Sequence, residues 1–158
     1  MKYTNVFLGL GSNLGDRNEY LRVATEMLDA DEKVKVIRSS TVIETEPVGA
    51  IAEGHFLNQV VEIETEYEPE ELLKRCLEIE HSQGRIRERK WESRTLDIDI
   101  LFFGDLVFHT ESLQIPHPEI EQRAFVLQPM VEIAPDFKHP ECNVTMRLQL
   151  DSGIVKGT

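Results

Sequence analysis

No apolar run in the 158-residue sequence approaches the roughly 20 residues that a membrane-spanning helix requires. The N-terminal MKYTNV leads straight into FLGLGSN, with no apolar core followed by a small-residue cleavage site, so no secretory signal is expected. Cysteine is scarce. Cys76 and Cys142 match neither metal nor redox spacing, and Cys76 falls on an apolar helix face, where core packing is its expected role. These absences point to a reducing, cytoplasmic compartment with no membrane partner. Basic residues are outnumbered, 17 Lys and Arg against 29 Asp and Glu, and a net charge of −12 is a poor field for a nucleic-acid binder. Internal repeats, low-complexity segments and clear linkers are also missing. Residues 1–158 therefore read as one domain, long enough to bury a real core and leaving no room for a second enzyme domain.

The charge that is present is unevenly spread. GRIRERKWESR, residues 84–94, holds Arg85, Arg87, Arg89, Lys90 and Arg94 against two acids. A cationic stretch on an acidic chain suits an anionic ligand small enough to be met by one loop; a solvated basic loop is the plainer alternative.

Hydrophobic patterning gives the element order. NVFLGLG (5–11) reads as a first strand, and Ser12 or Asp16 can cap a helix carrying Leu21, Ala24 and Leu28 on one face. VKVIRSSTVIET (34–45) and FLNQVVEIET (56–65) read as strands two and three, separated by the turn-rich TEPVGAIAEGH. Pro69 opens a helix with Leu72, Leu73, Cys76 and Leu77 facing inward and Gly84 as its stop. A fourth strand follows the basic stretch, then short helical pieces at 118–122 and 125–133, and a weak pattern after Pro135. Strand, helix, strand, strand, helix, strand is the ferredoxin-like order: an α+β fold with an antiparallel sheet, helices on one face and an irregular C-terminal extension. A doubly wound parallel sheet would need a crossover helix inside 34–65, and none is there.

The fourth strand, RTLDIDILFFG (94–104), poses the sharpest chemical question. Asp97 and Asp99 interrupt an apolar run, and alternation points both the same way. Two carboxylates in one low-dielectric spot repel, so ionising both requires a cation beside them. Magnesium suits such a pair, with phosphate oxygens and water completing its shell; a wet, exposed strand end is the alternative. Arginines next door favour the first reading, since phosphoryl transfer uses both.

Other motifs are weaker. GLGSNLG (9–15) has Leu14 where a dinucleotide fingerprint needs glycine and lacks the Gly-Lys-Ser/Thr of a P-loop, so it reads as a tight strand-to-helix turn. Glu80 shares a helix face with Leu73, Cys76 and Leu77 and should point inward, toward either a structural arginine or a ligand. Asn58 offers donors and an acceptor within a strand, and Phe56 shares its face, so the two suit an aromatic heterocycle or merely the sheet. HPEC (139–142) has no second cluster to make a metal site and reads as a turn. His117 is held between prolines, with Arg123 six residues on; both are candidates for phosphate or for local capping.

Taken together, GLGSNLGDR, TEPVG, FLNQVVEIET, PEELL, GRIR, RTLDIDILFFG, IPHPEIEQRAFVLQP and EIAP resemble the 6-hydroxymethyl-7,8-dihydropterin pyrophosphokinase family, in order and up to about residue 136. The resemblance implies a ferredoxin-like enzyme of folate biosynthesis that transfers diphosphate from ATP to the pterin hydroxymethyl group and releases AMP. It implies that Asp97 and Asp99 hold two Mg2+ ions and that Arg85 and Arg94 stabilise the transferring group. Glu80, Arg87, Trp91, Ile98, His117 and Arg123 match the ATP side. Thr45, Val48, Phe56, Asn58 and Phe125 match the pterin pocket, with the two phenylalanines sandwiching the ring. Segments 44–56 and 85–93 match loops that close over ligands. Leu77 and Ser112 depart from the glutamine and arginine of some members, and Arg89 and Lys90 match no fixed role. A monomer acting on small molecules is the expectation. Two other functions compete: a magnesium-dependent phosphohydrolase, and a non-enzymatic ferredoxin-like module binding nucleic acid through 85–94, which the net charge disfavours.

Overall fold

The computed structural model describes residues 2–12, 17–45, 56–83, 96–118, 120 and 124–157. In chain order the elements are β1 (Tyr3–Ser12), α1 (Arg17–Ala30), β2 (Val34–Ser39), β3 (Ile43–Thr45), β4 (Phe56–Thr65), α2 (Pro69–Ser82), β5 (Asp97–Phe103), β6 (Phe108–His109), β7 (Gln114–Ile115), α3 (Ala124–Ile133) and α4 (Met146–Gly157). The main sheet runs β2-β4-β1-β5, with β3 also pairing β4, and every pairing is antiparallel. This is the ferredoxin-like order expected from the sequence.

Both faces of the sheet are covered. On one, Leu21, Ala24 and Leu28 of α1 and Leu72, Cys76 and Ile79 of α2 pack on Val6, Leu8, Leu10, Val61, Ile63, Ile98 and Ile100. On the other, Val126, Leu127, Met130 and Ile133 of α3 and Met146 of α4 pack on Phe7, Val60, Leu101 and Phe102. The C-terminal third, expected to be irregular, thus supplies a second helical layer, and Phe137 adds ring contacts to Phe7 and Phe102 at 5.0 and 4.8 Å. Its short pieces lack a long periodic stretch, so the signal is in packing rather than pattern. Among the described residues no helix is long and apolar enough to cross a membrane.

Local chemistry explains the element ends. Pro69 occupies the first turn of α2, and the Glu68 N–H donates to Glu71 Oε1 at 2.9 Å, half of a capping box. The inward face of α2 is Leu72, Cys76, Ile79 and Glu80; Leu77, expected inside, is 36% exposed because it lies a quarter turn off that stripe. Ser12 is the last residue of β1, while Asp16 and Gly84 lie outside the described residues. The single strand expected over 34–45 is two. At Ser40 the hydroxyl oxygen accepts the Val60 N–H at 2.9 Å in place of a ladder carbonyl, and the chain carries one extra residue between the Ser39–Val61 and Ile43–Asn58 pairs.

A polar knot joins the ends of α1, β2 and α2. The Asp31 carboxylate accepts from the Lys33 N–H at 2.9 Å, the Tyr67 hydroxyl at 2.8 Å and Arg75 Nε at 3.0 Å. Burial pushes the Asp31 carboxyl up, but these hydrogen bonds outweigh it and hold its pKa below the ordinary 3.8. Tyr67 is pushed up to about 12, by burial first and then by its bond to Asp31. Asp31→Ala is expected to cost about 2–3 kcal/mol in urea denaturation at pH 7, because three donors lose their acceptor. A carboxyl with a lowered folded-state pKa stabilises fully above its unfolded value and loses that contribution as pH falls through the folded one. The gap between wild type and variant should therefore close as the pH drops below about 4.

Candidate active site

The Asp-bearing strand is the edge strand β5, and its phase is set by the helix-side core. Ile98 and Ile100 enter the α1–α2 layer, so Asp97 and Asp99 face the α3 side, the first half-buried and the second exposed. Their partners across β1 are glycines: Asp97 stands opposite Gly11 and Asp99 opposite Gly9. Gly11 in turn pairs with Asn58 of β4, and Asn58 with Ile43 of β3. Asp97, Gly11 and Asn58 therefore form one row across three strands, with the acid and the amide roughly 10 Å apart in backbone spacing.

Gly9 and Gly11 lie inside β1, as the strand expected over 5–11 requires, and β1 runs on to Ser12, so the first half of the 9–15 motif is strand rather than turn. A Cβ on Gly11 would stand 3.4 Å from Asn58 Oδ1, and one on Gly9 would stand 3.3 Å from Leu101 Cδ2. Bare backbone keeps the floor between the carboxylates and the amide low. The signal for this was glycine at every second position of an apolar strand.

Two contacts hold the outer edge of β5. The Ile98 N–H, pointing away from β1 between the two acids, donates to Glu80 Oε2 at 2.7 Å. Glu80 is 3% exposed, so the inward orientation expected for it holds, and one partner there is the Ile98 backbone amide. Further along, the His117 N–H donates to the Leu101 carbonyl at 3.0 Å, which brings His117 to the same edge two residues from Asp99. Phe125, half-buried at the start of α3, packs against the second core on the side of the acids and Asn58. Beneath them Cys76 is 1% exposed, and its thiol is pushed up by burial first and then by the nearby Glu80 and Asp99 charges, so it is an inert core residue as expected.

Thr45 and Phe56 are a cross-strand pair at the ends of β3 and β4, two positions from the Ile43–Asn58 pair. Val48, Arg85, Arg87, Trp91, Arg94 and Arg123 lie outside the described residues. HPEC forms a turn, closed by the Asn143 N–H on the His139 carbonyl at 2.7 Å, with His139 Nδ1 accepting from the Glu141 N–H at 3.2 Å. Among the described residues no group of three or more His, Cys, Asp or Glu is arranged around a metal position. The donor set of Asp97 and Asp99, two hard carboxylates facing a glycine floor, fits magnesium, which takes one or two protein carboxylates and leaves the remaining positions to phosphate and water.

An antiparallel sheet in the ferredoxin-like order, with paired carboxylates at its edge and an amide across a glycine strand, defines the class as α+β. Comparison with known proteins narrows the class. A family model described as 7,8-dihydro-6-hydroxymethylpterin-pyrophosphokinase (HPPK) matches residues 7–135, and the chain belongs to that family. A Bacillus subtilis 2-amino-4-hydroxy-6-hydroxymethyldihydropteridine pyrophosphokinase is 46% identical over 127 residues, covering 80% of this chain and 76% of that protein. Its Aquifex aeolicus namesake is 42% identical over 135 residues, covering 85% and 83%. Among solved structures, an HPPK-DHPS in complex with substrates superposes with a TM-score of 0.77 at 15% identity, over 99% of this chain and 44% of that one. At that identity the likeness shows the fold, and this chain spans less than half the length of the two-part protein.

The Glu80 contact makes a stability prediction. Glu80→Ala leaves the buried Ile98 N–H without this acceptor and should cost about 1–3 kcal/mol in chemical denaturation, whereas Glu80→Gln keeps an acceptor oxygen and should recover most of it. Equal stability of Glu80→Ala and wild type would show that the carboxylate does not hold the strand edge.

Proposed function

We propose that this protein transfers diphosphate from ATP to 6-hydroxymethyl-7,8-dihydropterin, giving the pterin diphosphate and AMP, and that residues 1–158 act as a single cytoplasmic, monomeric pyrophosphokinase domain. The observation that supports the reading is the row Asp97–Gly11–Asn58, with the acid and the amide two strand spacings apart on either side of a glycine. Membership of the family supports it.

In this reading Asn58 donates to and accepts from the pterin edge, Phe56 and Phe125 stack on its two faces, and Thr45 and Val48 close the pocket wall. Glu80, Arg87, Trp91, Ile98, His117 and Arg123 serve ATP. Asp97 and Asp99 hold two Mg2+ ions, and Arg85 and Arg94 meet the transferring group. The hydroxymethyl oxygen forms a bond to the β-phosphorus as the α–β bridge breaks, with the bridging oxygen leaving on AMP. The hydroxyl proton passes to a neighbouring acceptor, for which Asp97 is the candidate. Bound Mg2+ supplies Lewis-acid stabilisation of the phosphate oxygens. The protein's own contribution is preorganisation: acids held by the β1 register, and an Ile98 backbone pinned by Glu80 so that the flanking carboxylates stay aimed.

Product analysis with ATP, Mg2+ and the pterin tests this directly. AMP and pterin diphosphate should appear in equal amounts, and chelation of the metal should stop turnover. Asp97→Ala and Asp99→Ala should each lower kcat by about 10²–10³-fold or more while far-UV circular dichroism stays unchanged. ADP with free phosphate, formed equally without the pterin, would establish a phosphohydrolase instead.

A further inference from the structure

Residues more than ninety positions apart are tied together at the end of α3 farthest from Phe125. The Glu132 carboxylate accepts the Thr41 N–H at 2.9 and 3.1 Å and the Thr41 hydroxyl at 2.7 Å. Beside it, Arg38 Nη1 donates to the Ile133 carbonyl at 2.9 Å, and Arg38 Nε pairs with Glu62 at 2.9 Å. Helix electrostatics do not explain an acid at this position. The last turn of α3 carries no basic residue of its own, and a carboxylate there faces the negative end of the helix dipole. The cation for that end comes from the sheet, as Arg38, and the acid is turned outward onto Thr41.

Thr41 sits in the break between β2 and β3, two residues before the strand that pairs with Phe56, Leu57 and Asn58. The other end of α3 carries Phe125. The helix is thus a strut about 15 Å long. One end is fixed to the β2–β3 joint and the other presents a ring to the candidate pterin pocket. We infer that Glu132 is a positioning residue for that pocket: through Thr41 it sets the spacing between β3, which leads to Thr45, and Phe125. The inference rests on the pterin reading above. Glu132 and Thr41 are both exposed, and hydrogen bonds at exposed positions add little to global stability, so the effect of losing them belongs in pocket geometry rather than in melting.

The test is steady-state kinetics with pterin and ATP varied separately, on wild type, Glu132→Ala, Glu132→Gln and Thr41→Val. Loss of the clamp lowers the fraction of molecules with the two walls correctly spaced. KM for the pterin should therefore rise roughly three- to tenfold in Glu132→Ala. KM for ATP and kcat should stay within about twofold. Glu132→Gln, which keeps an acceptor oxygen, should recover most of the loss, and Thr41→Val, which keeps the N–H, should fall between. An unchanged pterin KM in Glu132→Ala overturns the inference. So does a drop in kcat with both KM values moving together and a lower melting temperature, which would mark a purely structural role. Wild-type protein that forms no pterin diphosphate would instead overturn the function reading, and this inference with it.

Discussion

The register of β1 between β4 and β5 governs the candidate site. Among the described residues β1 is the only strand that touches both the acid-bearing strand and the amide-bearing strand, so its pairing decides which residues share a row. Side chains alternate with period two, and a slip of one residue would turn Gly9 and Gly11 toward the helices and aim Leu10 at the carboxylates. Burial prevents this. Val6, Leu8 and Leu10 sit in the α1–α2 layer at 2% exposure or less, and reversing them would take three large apolar side chains out of a packed core.

An edge strand that carries a candidate site has a second difficulty, since its outward amides must find partners without covering the side chains beside them. Here the two faces divide the task. The helix layer sends Glu80 around to the Ile98 N–H, and the chain after β7 returns so that the His117 N–H reaches the Leu101 carbonyl. Both contacts lie along the backbone edge, leaving the Asp97 and Asp99 side chains on the opposite face from α2. Glu80 consequently has a structural partner whatever it does for a nucleotide, and a buried carboxylate there raises the Cys76 thiol rather than activating it.

Much of this was legible in the sequence where periodicity is strong. The alternation in DIDI and EIET and the 3.6-residue spacing of Leu21, Ala24 and Leu28 gave the strands, the helix and the common face of the two acids. Three features were not legible. Leu77 and Ile79 are both apolar, and only packing tells which of them faces the sheet. The Ser40 break depends on a hydroxyl standing in for a carbonyl, which no pattern encodes. The α3 layer and its ties through Arg38, Thr41 and Glu132 join residues separated by 91 and 95 positions, and such contacts leave no local trace.

The irregularity between β1 and β5 has a further bearing. The pairs Leu8–Ile100 and Phe7–Phe102 leave Leu101 as an extra residue, so Leu101 and Phe102 both join the α3 layer and Phe103 returns to the other. The strand is in effect two short strands of opposite phase joined end to end. Its first half can keep both acids on the face away from α1 and α2 while its second half places Phe103 against Tyr3, a division that a regular strand could not make. Chemistry and packing are thereby written in separate frames, and side chains beyond the bulge can be exchanged for core volume without re-aiming the carboxylates before it.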